Sequence, residues 1–274
     1  MEKTNLVREP AVAGQFYPAS GSDIRRQIAS FIDKQTLKPQ ALACMLPHAG
    51  YMYSGRVAAQ TLSQIDIKEK IILLGPNHTG YGERVSIMSQ GVWLTPLGKI
   101  EIDQGLAGQL LKNSAILKED FLAHKFEHSL EVELPILQYF KTNFKIVPIC
   151  IMSADLDSLK ALGKEIALAI NELNLKGSTL LLASSDMTHY EPQAEAEKKD
   201  KQAIQAILEL NEDKLTDYIQ RLNISMCGWA PVVTMLAAAK ELGAKSAKLI
   251  KYQTSAEITG DKDSVVGYAG ITIC

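Results

Sequence analysis

Three short stretches of this chain are apolar almost without interruption, and each stops abruptly at a cluster of polar residues. Residues 42–47 run into His48-Ala-Gly-Tyr51, residues 70–75 into Pro76-Asn-His78-Thr-Gly80, and residues 178–184 into Ser185-Asp186-Met-Thr-His189. A fourth run, residues 145–151, has the same apolar character. A strand wetted on one face alternates apolar and polar side chains. A run without alternation needs cover on both faces, the position of a central strand between two layers of helices.

The segments between the runs supply those helices. Residues 155–173 place Leu156, Leu159, Leu162, Ile166 and Ile170 at mostly three- and four-residue spacings behind Asp155 at the cap position. Residues 195–210 and 213–222 read as further amphipathic helices, and 230–242 as a more buried one. Residues 246–253 and 265–273 close the chain as strands. The sum predicts an α/β fold: a single three-layer domain over residues 1–274, with a mixed central β-sheet flanked by helices. No Ser/Gly linker, repeat or low-complexity tract divides it.

Charge and composition exclude several classes of function. With 29 Lys and Arg against 31 Asp and Glu, the net charge of -2 lacks the basic excess of a nucleic-acid binder. No apolar run approaches the roughly 18 residues of a membrane span. The first ten residues hold no apolar core of a secretory signal. Cys44, Cys150, Cys227 and Cys274 are scattered without a CxxC pair, the pattern of reduced thiols in a cytoplasmic protein.

Ligands of open α/β sheets bind outside the carboxyl ends of the strands. If the runs are adjacent and share an orientation, His48, His78, Asp186 and His189 meet at one edge. One loop histidine is ordinarily just a hydrogen-bonded polar residue; three of the chain's 5 histidines after apolar strands weigh toward a site. Cys227 precedes the helix that carries Pro231. A lone cysteine ordinarily packs as a small hydrophobe, but at a helix N-terminus a thiolate is favoured. His124-Lys-Phe-Glu127-His128 matches H-x-x-E-H, the inverted zincin pattern. A helix starting after His128, with Ser129 near its cap, reads the segment equally well. Ser184 and Ser185 lack a G-x-S-x-G elbow. Asp186 and His189 instead form an acid–imidazole pair that orients a proton-transfer histidine.

Six ordered segments together resemble the Memo family, the protein B component of the AmmeMemoRadiSam set. They are Arg8-Glu-Pro-Ala-Val-Ala-Gly-Gln-Phe-Tyr-Pro18, Pro47-His-Ala-Gly-Tyr51, Leu74-Gly-Pro-Asn-His78, Glu127-His-Ser-Leu-Glu-Val-Glu-Leu-Pro135, Ser184-Ser-Asp-Met-Thr-His189 and Met226-Cys-Gly228. The resemblance implies a fold like that of class III extradiol non-haem iron dioxygenases. By matched position it implies His48, His78 and Cys227 as metal ligands, Asp186 and His189 as catalytic pocket residues, and Glu127 and His128 as supporting residues. His124 stays outside. Two imidazoles with a carboxylate suit ferrous iron; the Cys227 thiolate softens the set, so copper competes and zinc is an adventitious occupant. The function implied is a metal-binding redox protein acting on a small-molecule or peptide ligand. The radical SAM and AMMECR-type proteins of the same set are the implied partners, and neither nucleic acid nor membrane is. Two alternatives stand beside it: a non-catalytic peptide-binding adaptor, and a thiol hydrolase with Cys227 as nucleophile and His189 as base.

Overall fold

The structure, a computed structural model, describes residues 6–32 and 40–274; the first five residues of the N-terminal stretch discussed above lie outside it. The first half holds β1 (Val7–Arg8), α1 (Gly21–Phe31), β2 (Ala43–Leu46), α2 (Arg56–Ser63), β3 (Lys70–Pro76), β4 (Val85–Ile87), β5 (Val92–Thr95) and β6 (Gly98–Ile102). Next come α3 (Gln104–Asn113), β7 (Lys118–Glu119), α4 (Leu122–Lys125), α5 (Glu133–Phe140), β8 (Lys145–Ile151) and α6 (Leu156–Glu172). The rest is β9 (Thr179–Ser184), β10 (His189–Glu191), α7 (Gln193–Leu208), α8 (Glu212–Arg221), α9 (Trp229–Glu241), β11 (Ala247–Thr254), α10 (Ala256–Thr259) and β12 (Val265–Ile273).

One mixed sheet joins the strands in the order β1-β5-β6-β8-β3-β9-β2-β12-β10, with β11 on β12 and β4 on β8. The four runs predicted to be central are its parallel heart: β8, β3, β9 and β2 lie side by side. Leu73 is paired with Pro148 on one side and Leu182 on the other. Pro148 is tolerated because it falls at the changeover on the outer side of β8, between the β6 and β4 pairings. Helices cover both faces. On β12, a side chain at Gly270 would strike Thr61 of α2 and one at Gly267 would strike Asp200 of α7, three residues apart and on opposite faces.

The predicted helices form where the periodicity puts them. Asp155 caps α6 by accepting from the Ser158 amide at 2.9 Å, and Leu159, Leu162, Ile166 and Ile170 are buried. Each such side chain stabilises the fold by about 1.5–3 kcal/mol. One expectation is corrected. The chain after His128 first makes a turn, and the helix begins only at Glu133. Among the described residues no helix is long and apolar enough to cross a membrane.

Candidate metal centre

Parallel alignment makes the strand ends converge. β3, β9 and β2 are neighbours, so His78, Asp186 and His48, each two residues beyond its strand, leave from one edge. Cys227 arrives there because Gly228 has no side chain: a Cβ would collide with the Ser184 carbonyl and the Ser185 side chain. The Gly228 amide instead donates to Ser185 Oγ at 3.0 Å. Gly75 does the same for the segment bearing Glu127 and His128. A Cβ there would lie 2.6 Å from Leu130, and Ser129 Oγ donates to the Pro76 carbonyl at 2.9 Å.

The result is a compact set of donors. One atom each from His48, His78 and Cys227 lie within 4.8 Å of one another. Cys227 Sγ is 3.4 Å from His48 Nε2. The imidazoles of His48, His78 and His128 are mutual neighbours, with ring centroids 5.2, 5.5 and 4.6 Å apart. His128 stacks on His78, and Phe16 covers its other neighbourhood at 4.8 Å.

The remaining nitrogens are spoken for. His48 Nδ1 is 2.7 Å from Ser184 Oγ, and the His48 amide donates to Asp186 Oδ1 at 2.8 Å. His78 Nδ1 is 2.9 Å from Glu127 Oε1. Glu127 also accepts the amides of His78, His128 and Ser129, which saturates its carboxylate and makes it an organiser of the loop. A second group of His78, Glu127 and His128 is close enough to hold an ion, but its oxygens already serve these four donors. Burial works to raise the Glu127 pKa; the His78 hydrogen bond and charge, the Ser129 amide and His128 outweigh it and bring it down to about 2. Burial, reinforced by His78 and His128, holds His48 well below the ordinary imidazole range, so its ring is neutral. Burial likewise lowers His128.

Two role assignments change. The expected hydrogen bond from Asp186 to His189 is not made. His189 Nδ1 lies 2.9 Å from the Ser225 carbonyl, and Ser225 Oγ accepts the His189 amide at 2.8 Å. A carbonyl only accepts, so Nδ1 carries the hydrogen and Nε2 the lone pair. Asp186 turns instead to the His48 loop, and its own amide donates to Cys227 Sγ at 3.3 Å. Burial pushes its carboxyl up to about 6. Cys227, in turn, is not a ready thiolate: burial and the neighbouring Asp186 charge push it up. Its imidazole partner is His48, so the nucleophile–base pair of Cys227 with His189 is absent from the hydrogen bonds.

The H-x-x-E-H reading fails on geometry. His124 lies within α4, fully buried in the core, with Nδ1 3.3 Å from Cys150 Sγ and its ring edge-on to Trp93. His128 lies beyond that helix, so no common face joins them.

Sequence reasoning left out three supports of the site. Ser225 holds His189. Glu133 contacts Ser184 at 2.9 Å. Arg8 reaches across the fold to donate to the carbonyls of His124 and Glu127 at 3.1 and 2.6 Å and pairs with Glu131, both side chains having 0% exposure. The readable signal was the pair of acids in Leu130-Glu-Val-Glu-Leu134, charges set into an apolar run. Next to His189, Tyr190 is 78% exposed and held at φ 58°, left-handed backbone that an aromatic residue rarely adopts.

Comparison with known proteins bears on the family and the fold. The family model for Memo-like proteins matches residues 8–272. A MEMO1 family protein of Methanopyrus kandleri is 42% identical, covering 97% of this chain and 98% of its own. Those of Methanococcoides burtonii and Aquifex aeolicus are 43% and 41% identical, each over 97% of this chain and over 100% and 98% of their own. Among solved structures, the uncharacterized protein JW3007 from Escherichia coli K12 is 14% identical with a TM-score of 0.58, covering 84% of this chain and 99% of that one, a likeness of fold.

Proposed function

Because this chain belongs to the Memo family and gathers two imidazoles and a thiol at one point, we propose that it binds a redox-active metal ion through His48, His78 and Cys227. Ferrous iron is the first candidate and copper the second, in a non-haem oxidoreductase of dioxygenase type. The observation that carries the reading is the donor geometry. Zinc-type bonds of about 2.1 Å to nitrogen and 2.3 Å to sulfur put a tetrahedral N,S pair about 3.6 Å apart. The His48 Nε2 to Cys227 Sγ separation is 3.4 Å. Both histidines have Nδ1 tied to another group, Ser184 and Glu127, which leaves Nε2 of each for coordination.

When bound, such an ion supplies Lewis acidity and, as iron or copper, an electron couple. The protein's own groups handle protons. His189 Nε2 takes a proton from a bound ligand while Ser225 fixes the ring through Nδ1. Asp186 braces two of the metal ligands, its carboxylate accepting the His48 amide and its own amide donating to Cys227 Sγ. Cys227 would hold the ion as its thiolate, the ligand form, with the thiol proton released to solvent.

A second reading, in which the pocket holds a peptide without turning it over, is favoured by one observation. The site loops carry exposed apolar side chains: Met52, Tyr81, Phe126 and Tyr190. Anaerobic titration with ferrous and cuprous ions separates the claims. One ion should bind the wild type, and His48→Ala, His78→Ala and Cys227→Ser should each lose it, while His189→Gln keeps it. Unchanged stoichiometry in the three ligand variants would overturn the reading. Stoichiometric metal with a bound peptide and no product after long incubation would favour the second.

A further inference from the structure

We propose that Glu133 is a positioning residue of this centre: as a neutral carboxylic acid it donates to Ser184, so that Ser184 accepts from His48 Nδ1–H and His48 Nε2 is left as a bare lone pair facing Cys227. The proposal rests on the metal-binding reading above.

Ser184 Oγ has three polar neighbours: His48 Nδ1 at 2.7 Å, the Ser129 carbonyl at 2.8 Å and Glu133 Oε1 at 2.9 Å. Contacts this short between electronegative atoms need a hydrogen in each, and without one they repel. The serine hydroxyl brings one hydrogen and two lone pairs. The Ser129 carbonyl brings none, so the serine hydrogen goes there. The other two contacts fall on the lone pairs, and their partners must supply the hydrogens. His48 supplies one at Nδ1, and Glu133 must supply the other. An ionised Glu133 would leave two of the three contacts with no more than one hydrogen between them.

The surroundings agree. Glu133 has 0% exposure, enters no ion pair among the described residues, and its Oε2 has no hydrogen-bond partner. The charged group felt nearby is Asp186, of the same sign; burial pushes the carboxyl well up, the Ser184 contact works against it, and Asp186 adds to the rise. Cys44 and Tyr51, the other titratable neighbours, are kept in their uncharged forms by burial. Glu131, two residues earlier, shows the opposite treatment: Arg8, two amides and the Tyr17 hydroxyl all donate to it. The same turn thus holds one acid built as an acceptor and one built as a donor.

The test uses metal-free and zinc-titrated full-length protein. Imidazole ¹⁵N NMR of the metal-free wild type should show His48 protonated at Nδ1. Glu133→Gln keeps a donor at this position and should preserve both that tautomer and the zinc affinity measured by chelator competition. Glu133→Leu removes the donor, and should mix the tautomers and weaken zinc about 10-fold, within the range of losses from groups behind a ligand. Ser184→Ala should weaken it about 10–100-fold. Should Glu133→Leu not fold, the wild-type and Glu133→Gln tautomers decide. Wild-type His48 protonated at Nε2, or Glu133→Gln behaving like Ser184→Ala, overturns the proposal. Absence of zinc binding to wild type with the Nδ1 tautomer intact would defeat the metal reading and leave the role of Glu133 standing.

Discussion

Removing the Arg8 guanidinium is expected to destabilise the protein by about 3–5 kcal/mol, the cost of leaving a buried charge without its partner. Arg8 Nε and Nη2 donate to the carbonyls of His124 and Glu127, Nη1 to that of Glu9 at 3.1 Å and to Glu131, and the guanidinium lies 4.5 Å over Trp93. In Arg8→Met the Glu131 carboxylate keeps only the Ala11 and Val12 amides, at 2.8 and 3.0 Å, and the Tyr17 hydroxyl. The total stability of a protein is typically about 5–15 kcal/mol, so this loss is a large share. Glu131→Gln strands the guanidinium in the same way. The double variant removes both charges and should be milder than the sum of the singles, with a coupling of about 1–3 kcal/mol. Urea unfolding of the four proteins in chelator, followed by circular dichroism, measures all three quantities. Single losses under about 1 kcal/mol, or strict additivity, would refute the claim that this pair clamps the N-terminal segment to the loop of the metal centre.

Other perturbations read the site from different sides. His124 is a core residue whose pKa burial depresses from 6.5 to about 3. Its neutral form is the folded one, so its contribution is whole above pH 6.5 and is lost as pH falls toward 3, at about 1.4 kcal/mol per pH unit. His124→Ala should flatten that slope and cost about 2–4 kcal/mol at pH 7 while leaving metal content unchanged; unchanged stability with lost metal would restore the H-x-x-E-H site. Cys227 and the terminal Cys274 are both half-buried, but in metal-free protein Cys227 should label more slowly, because desolvation and Asp186 disfavour its thiolate; mass-spectrometric mapping that finds Cys227 fastest would contradict this. Glu127→Gln should keep the fold and lower metal affinity about 10–100-fold by loosening His78 and His128; chelator competition showing no change would remove Glu127 from the site.

The parts of the fold set by side-chain patterning were legible in the sequence. Uninterrupted apolar runs require cover on both faces, and β3, β8 and β9 have it. His48, His78 and Asp186 were legible because each follows such a run. What escaped was whatever depends on contacts across long sequence separations. Ser225 answers His189 from 36 residues away, and Arg8 answers Glu131 from 123. Nothing in Asp186-Met-Thr-His189 reveals that the carboxylate turns back to the His48 amide. Cys227 shows the opposite limit: its helix-start position suggested an acidic thiol, but helix position is local and desolvation is set by the whole fold.

The central claim is the identity of the three ligands, and X-ray absorption at the metal edge tests it most directly. Zinc-loaded wild-type protein should show one sulfur scatterer at about 2.3 Å and imidazole nitrogens at about 2.0–2.1 Å. The sulfur should vanish in Cys227→Ser, and the imidazole signal should fall in His48→Ala and His78→Ala. A coordination sphere without sulfur in the wild type, or a sulfur signal that survives Cys227→Ser, would contradict the assignment.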